Sequence, residues 1–375
     1  MNIGLFTFDT NNLGDEMQSL AVLAHVDRVR TFIDRDHLAD FHDENKTACV
    51  FNSFFMLGDD FRLPAPAIKP LWYGFRPGRH ELFEKEWLAY MKQQPPIGCR
   101  DLYSLQELTK IGVDAYWSGC LTLFLGTVLP KPAGKREGIY FIDLPVAAEA
   151  FLPPSIVQKA SRLSTFPCTD MRYSPLERWA AVARLTNILA TAELVLTRRL
   201  HVALPAASFG TPVVAIPDPA ISVARERFTG FDEIIPTVFL DKFELEAKKI
   251  DWQNVEPARI SDSLKGHYAA LCKQLHSLNL PPAISTKKTL EDFSCLTQRL
   301  INIEKIRGPG FLRLKLNDRV FALSTRAWND EYIDVGIKGF LGLSKFDFEI
   351  EVSKGEAGPW VSWGFLRDLV MEKRT

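Results

Sequence analysis

The sequence contains no CxxC pair and no Cys/His cluster at metal-ligand spacing, although six cysteines (Cys49, Cys99, Cys120, Cys168, Cys272 and Cys295) are scattered along its 375 residues. That spread argues against a disulfide framework or a zinc site and is read as a set of reduced, mostly packed thiols. No run reaches the ~18–20 consecutive apolar residues of a membrane span. The opening MNIGLFTFDTNN lacks the charged and long apolar regions of a signal peptide. A cytoplasmic protein with at most peripheral membrane contact is expected. Neither sign of charge dominates, with 45 Lys and Arg against 46 Asp and Glu and a net charge of -1. No nucleic-acid partner is expected without a basic excess, and any anion site must be local. There is also no internal repeat or low-complexity tract, and 46% hydrophobic residues argue for a folded globular chain.

A chain of this length exceeds what one core usually supports, so two domains are expected. Asn2 to Phe8 reads as a strand, the polar DTNN as a turn, and Met17 to Phe32 as a helix with Leu20, Leu23, Val26 and Val29 near helical spacing. Ala48 to Leu57 reads as a second strand, and the Pro- and aromatic-rich stretch from Pro64 to Gly78 as a loop. Pro96 to Cys99 hands over at Arg100 and Asp101 to a helix over Tyr103 to Ile111, followed by a strand over Val113 to Trp117. Leu129 to Glu137 (LPKPAGKRE) reads as a linker, after which Gly138 to Leu144 restarts a strand. A helix over Pro175 to Ala192 leads into the strand Glu193 to Thr197, and Pro212 to Ile216 forms another. Thr286 to Ile306 carries a helical pattern. Beyond Gly308 the texture alternates in Phe311 to Leu316, Val320 to Leu323 and Phe346 to Val352, with Trp328, Trp360 and Trp363 nearby, as in half-buried antiparallel strands. The boundaries are therefore 1–132 and 133–306 for two α/β domains and 307–375 for a small β-rich extension.

The chemistry concentrates at strand ends. Arg198, Arg199 and His201 follow a short β-branched run, where open α/β sheets bind ligands and where the next helix offers unpaired N–H groups to an anion. Two guanidinium groups and an imidazole there suit a phosphate or carboxylate. Pro205 is awkward inside the following helix: either the helix kinks, or Arg199 and His201 lie on a loop and the helix begins near the proline. Arg100 occupies the same kind of strand end, as an anion ligand or as an ion partner of Asp101. Ser118 lies in a third loop on the same rim. Arg225 and Arg227 are further cations, or a solvated helix face. Asp15 is a candidate base or an N-cap; Asn12 and Gln18 bond a sugar or close the turn. Trp72, Tyr73 and Phe75 stack on a sugar or pack a loop. Cys120 is read as structural.

The segments NLGDEMQ (Asn12 to Gln18), PIGCRD (Pro96 to Asp101), YWSGCLTLFL (Tyr116 to Leu125) and TRRLHVALPAASFGTPVVAI (Thr197 to Ile216), in this order and spacing, resemble the polysaccharide pyruvyl transferase family. The resemblance implies an α/β fold of two Rossmann-like domains facing across a cleft, the GT-B-like arrangement, here with a C-terminal β-rich extension. It implies transfer of the enolpyruvyl group of phosphoenolpyruvate onto a sugar, giving a pyruvate ketal and phosphate. By position, Arg100, Arg199 and His201 would serve the donor, with Arg198 and Arg227 beside them, while Asn12 and Asp15 would lie on the acceptor side; Ser118 joins the substrate-binding set. His201 would act as acid or base, or only hold the phosphate. No cofactor or metal is expected, because arginines neutralise the phosphate, and the saccharide acceptor is free or lipid-linked. Arg198 stands where the family more often has a small residue, Pro205 interrupts the helix after the histidine, and the stretch after Arg307 has no counterpart. Two other readings share these residues: a nucleotide-sugar glycosyltransferase of the same architecture, and a non-catalytic glycan-binding or scaffolding member.

Overall fold

The structure, a computed structural model, describes residues 2–8, 10, 12–26, 31–56, 61–129, 134–166, 175–221, 223–278, 310–316, 319–325 and 348–353. The chain divides into two compact units, one comprising Met1–Thr165 with Thr186–Ala283, the other Phe166–Leu185 with Ile284–Thr375.

The first unit holds two four-stranded parallel sheets. In one, β1 (Asn2–Thr7), β2 (Thr31–Asp34), β3 (Thr47–Val50) and β5 (Ile68–Leu71) lie in the order β2-β1-β3-β5. Short β4 (Phe54–Phe55) pairs with β6 (Arg76–Pro77), and β7 (Ile97–Cys99) with β8 (Ala115–Trp117). The other sheet places β9 (Ile139–Ile142), β10 (Ala160–Leu163), β11 (Leu194–Thr197) and β12 (Val213–Ala215) in the order β10-β9-β11-β12. Both orders run second, first, third, fourth along the chain. In such a sheet the order reverses between the first and third strands, and a crevice opens beyond their carboxyl ends.

Helices α1 (Leu13–Leu23), α2 (Lys85–Lys92), α3 (Leu102–Lys110) and α4 (Leu125–Val128) accompany the first half. In the second half come α5 (Val146–Glu149), α6 (Pro154–Lys159), α7 (Pro175–Thr191), α8 (Leu200–Ser208), α9 (Ala224–Phe228), α10 (Phe243–Glu246) and α11 (Asp262–Ser277). Two cores result. Around the first sheet the packing is aromatic: Phe51 meets Trp72 at 4.8 Å and Phe55 at 5.0 Å between ring centroids, and Phe75, Trp87 and Met91 join them. Around the second it is mostly aliphatic, with Ile139, Leu194, Leu196, Val214 and Ile216.

Three sequence expectations change. The helix expected over Met17 to Phe32 ends at Leu23, and Thr31 already opens β2, which takes in Phe32. The expected loop from Pro64 to Gly78 contains β5 and β6. Pro70 fits because β5 is an edge strand, where a missing N–H is tolerated. Trp72, Tyr73 and Phe75 offer no sugar platform, being 6%, 1% and 0% exposed in the aromatic core.

In the second unit, β13 (Gly310–Leu316) pairs antiparallel with both β14 (Arg319–Thr325) and β15 (Phe348–Ser353). The alternating pattern near the C-terminus is thus a three-stranded antiparallel sheet. The helix expected over Thr286 to Ile306, residues 130–133 of the expected linker, Cys168, Cys295 and Trp328, Trp360 and Trp363 lie outside the described residues.

Candidate active site

The second sheet delivers Arg198 and Arg199 at the end of β11, whose four residues are buried. Thr197 ties that end to the neighbouring strand: its hydroxyl donates to the Ile142 carbonyl at 2.7 Å and accepts from the Arg199 N–H at 3.0 Å. Arg199 Nε donates to Asp143 Oδ2 at 2.9 Å. Asp143 follows β9 directly, so this ion pair spans the place where the strand order reverses. Burial disfavours the Asp143 carboxylate, but hydrogen bonds from Thr165 and Ser164 and the charge of Arg199 outweigh it and hold its pKa below the usual value.

His201 lies in the first turn of α8, with φ −81° and ψ 17°. Pro205 explains the distortion, because a proline ring clashes with the carbonyl four residues earlier, here that of His201. The helix therefore kinks at the histidine and continues through the proline. The imidazole is 3% exposed, and its Nε2 has no hydrogen-bond partner. Burial, then the charges of Arg100 and Arg227, pull its pKa well below the ordinary imidazole value. The ring is neutral at pH 7 while no anion offsets those charges.

β7 carries Arg100 and Asp101 to the start of α3. Asp101 caps that helix, accepting from Ser104 N–H at 2.9 Å, and also receives Arg76 Nη1 at 2.8 Å and Arg100 Nε at 3.3 Å. The ion-pair reading of Arg100 is the one these contacts bear out. One side of its guanidinium bonds Asp101, while Nη1 and Nη2 are buried with no partner. Arg227, on α9, has a buried Nε without a partner and a pKa drawn down to about 9 by burial and the nearby Arg100. The guanidinium carbons of Arg76, Arg100 and Arg227 lie 5.6, 5.5 and 5.4 Å from the ring centroid of Phe54. An arginine over an aromatic ring is attracted by its quadrupole, so the ring lets three like charges share a small volume.

A hollow open to solvent is lined by Asn12, Gly14, Thr165, Arg198, Arg199, His201, Asp218, Ile221 and Arg227, among others. Arg100 is fully buried and does not line it, but its charge reaches His201 and Arg227. Arg198 contributes a buried Nε with no partner. From the first sheet, the turn before α1 brings Asn12, whose side chain accepts from Gly14 N–H at 3.1 Å and caps the helix. Asn12, not Asp15, is therefore the N-cap. Asp15 sits in the first turn, accepts from Thr10 at 2.7 Å and Gln18 at 3.3 Å, and its charge reaches Arg199 and Arg227.

Ser118 and Arg225, like Arg100, Asp15 and Gln18, do not line the hollow. Ser118 is fully buried, accepts from Gly74 N–H at 2.9 Å and bonds the carbonyl of Cys99 at 3.0 Å, which satisfies it within the backbone. Arg225 points to Asp241 on the surface. Cys120 is buried, and burial raises its thiol pKa, in line with a structural role. Residues passed over in the sequence are Asp143, Arg76 and Phe54. An acid directly after a strand was a usable signal for Asp143; nothing in the sequence marked the other two. Among the described residues, the non-glycine positions with positive φ are Asp143 at 49° and Val223 at 59°. The first holds Arg199 and the second opens the helix that carries Arg227; backbone strain of this kind clusters at functional sites.

Residues 74–218 match the family model described as polysaccharide pyruvyl transferase, and the resemblance read from the motifs is borne out over that stretch. The match includes Arg100, Arg198, Arg199 and His201; Asn12, Asp15 and Arg227 lie outside it. It supports a transferase role in pyruvyl transfer during polysaccharide synthesis. A search of curated proteins finds no match. A solved glycotransferase of kitacinnamycin aligns over 77% of this chain and 97% of its own at 10% identity, with a TM-score of 0.28, too low to carry an argument. Among the described residues no helix is long and apolar enough to cross a membrane.

Proposed function

We propose that the protein transfers the enolpyruvyl group of phosphoenolpyruvate to a saccharide of a polysaccharide or its precursor, forming a pyruvate ketal and releasing phosphate. The observation that carries this reading is the set of buried, unpartnered nitrogens on Arg100, Arg198, Arg227 and His201. Buried charged nitrogens without partners are costly, and an anion with two charged ends would satisfy those that line the hollow and offset the charge of Arg100 behind them. In this reading the two parallel sheets are two Rossmann-like halves, the second on the donor side and the first on the acceptor side. Arginines supply the charge that a divalent ion would otherwise bring to the phosphate.

Transfer requires a proton at the methylene carbon of the donor, leaving C2 cationic for attack by one sugar hydroxyl. A second hydroxyl then displaces phosphate, and the two hydroxyl protons leave as the ketal forms. His201 is the proton donor: its imidazole is neutral beside the free arginines and takes up a proton when the donor's negative charge arrives. Asp15 accepts the proton of the attacking hydroxyl. The acceptor is free or lipid-linked, and the reaction belongs on the cytoplasmic side of a membrane.

Incubation with phosphoenolpyruvate and candidate saccharides, free and lipid-linked, should release phosphate and give a ketal methyl signal in proton NMR. His201→Gln and Arg100→Gln should each reduce release by roughly two to three orders of magnitude with an unchanged circular dichroism spectrum. Variants that turn over at the wild-type rate, or a wild-type protein that does not bind phosphoenolpyruvate, would overturn the reading.

A further inference from the structure

Arg76 lies in no sequence motif and does not line the hollow, yet it is 1% exposed and holds two carboxylates. Its Nη1 donates to Asp101 at 2.8 Å and its Nη2 to Glu226 at 2.9 Å. Each carboxylate stands next in sequence to an arginine whose own nitrogens lack partners: Asp101 follows Arg100, and Glu226 precedes Arg227. Asp101 accepts from Arg100 Nε at 3.3 Å, which engages one edge of that guanidinium and leaves Nη1 and Nη2 open.

The backbone reinforces the arrangement. Leu102 N–H donates to the Thr229 carbonyl at 3.2 Å, and Tyr103 N–H to the Thr229 hydroxyl at 2.9 Å. At Gly230, with φ 85°, an added Cβ would lie 2.7 Å from Trp117 and 2.8 Å from Leu102. The segment after α9 therefore docks closely on the first turn of α3. Arg76 completes this joint with its charge, and Tyr103 covers its guanidinium at 5.0 Å. A planar fork can meet two acids from different elements at fixed angles, whereas a lysine ammonium cannot.

From this juxtaposition we infer that Arg76 is a positioning residue, a buried clamp on Asp101 and Glu226 that fixes the charge of Arg100 behind the hollow and aims Arg227 into it, toward one anionic donor. The inference rests on the proposed function for the identity of that donor. It makes the donor site a joint between α3 and α9, so anion affinity depends on a side chain that never meets the anion.

The test uses the full-length protein, calorimetric titration with phosphoenolpyruvate and with inorganic phosphate, and steady-state kinetics. Glu226 is partly exposed, so Glu226→Gln removes one arm of the clamp while keeping shape and fold; Arg76→Lys keeps the charge and removes the fork. Each should weaken binding of both probes about tenfold, the worth of one misdirected charged hydrogen bond. The KM for the donor should rise by a similar factor while kcat changes less. The double variant should lose no more than the worse single, because both changes break one contact. If wild type binds the probes and Glu226→Gln binds them equally well, the clamp is refuted and the proposed function stands. If wild type binds neither probe, the proposed function fails, and the clamp with it.

Discussion

The two parallel sheets of the first unit share one strand order and use it for opposite charge. In the first, the turn after β1 presents an amide and a carboxylate, Asn12 and Asp15. In the second, the end of β11 presents Arg198, Arg199 and then His201, while the end of β9 supplies the acid that holds one of them. Topology thus decides where a ligand can sit, and the few residues on the loops decide what it can be. The cores differ as well: edge-to-face and stacked rings surround the first sheet, branched aliphatic side chains the second.

The largest expected effect tests the cores. Phe51→Ala should cost about 3–5 kcal/mol and Leu196→Ala about 2–5 kcal/mol in urea denaturation, since both side chains are fully buried. A loss under about 1 kcal/mol for Phe51 would mean that the rings do not form one packed layer.

The second prediction concerns the acid that holds the cationic loop. Asp143→Asn keeps a side chain that tolerates positive φ and removes the charge opposite Arg199. It should cost about 1.5–3 kcal/mol near neutral pH. The folded pKa of Asp143 is depressed, so its stabilisation is present above the unfolded value of about 3.9 and disappears as pH falls through the folded value. Wild type and variant should therefore converge in acid. A gap that stays constant below pH 3 would show that the contribution is not electrostatic.

The smallest effect concerns the turn after β1. At Gly14 an added Cβ would lie 3.1 Å from Asn12 Oδ1 and 3.4 Å from His201 Cβ. The gain from replacing a helical glycine, about 0.4–1 kcal/mol, is offset by that crowding, and Gly14→Ala should shift stability by no more than about 0.5 kcal/mol. A larger loss would show that α1 and α8 touch more tightly than these distances indicate.

Much of this was legible in the sequence because it is local. A β-branched run followed by RRLH announces a strand end with cations, and CRD before an amphipathic stretch announces another; the structure has strands and helices at both. Pro205 announced a disturbance and left open whether the helix kinks or only begins there. What escaped reading depends on contacts far apart in the chain. Arg76 lies in an aromatic, proline-rich stretch that resembles a loop, and only pairing with Phe54–Phe55 makes its segment a strand. Arg225 and Arg227 share one short helix, and sequence could not tell which faces Asp241 on the surface and which faces inward beside Arg100. The overlong first helix failed for a different reason: Val26 and Val29 continued a helical apolar spacing past a chain end-point that only Ala24 marks as the cap.

The kink at His201 has a consequence for substitution. The backbone at His201 is bent by a ring one helical turn downstream, which clashes with the His201 carbonyl and brings no N–H to bond it. Alanine at position 205 would restore that missing donor, straighten the backbone and rotate the histidine off its line.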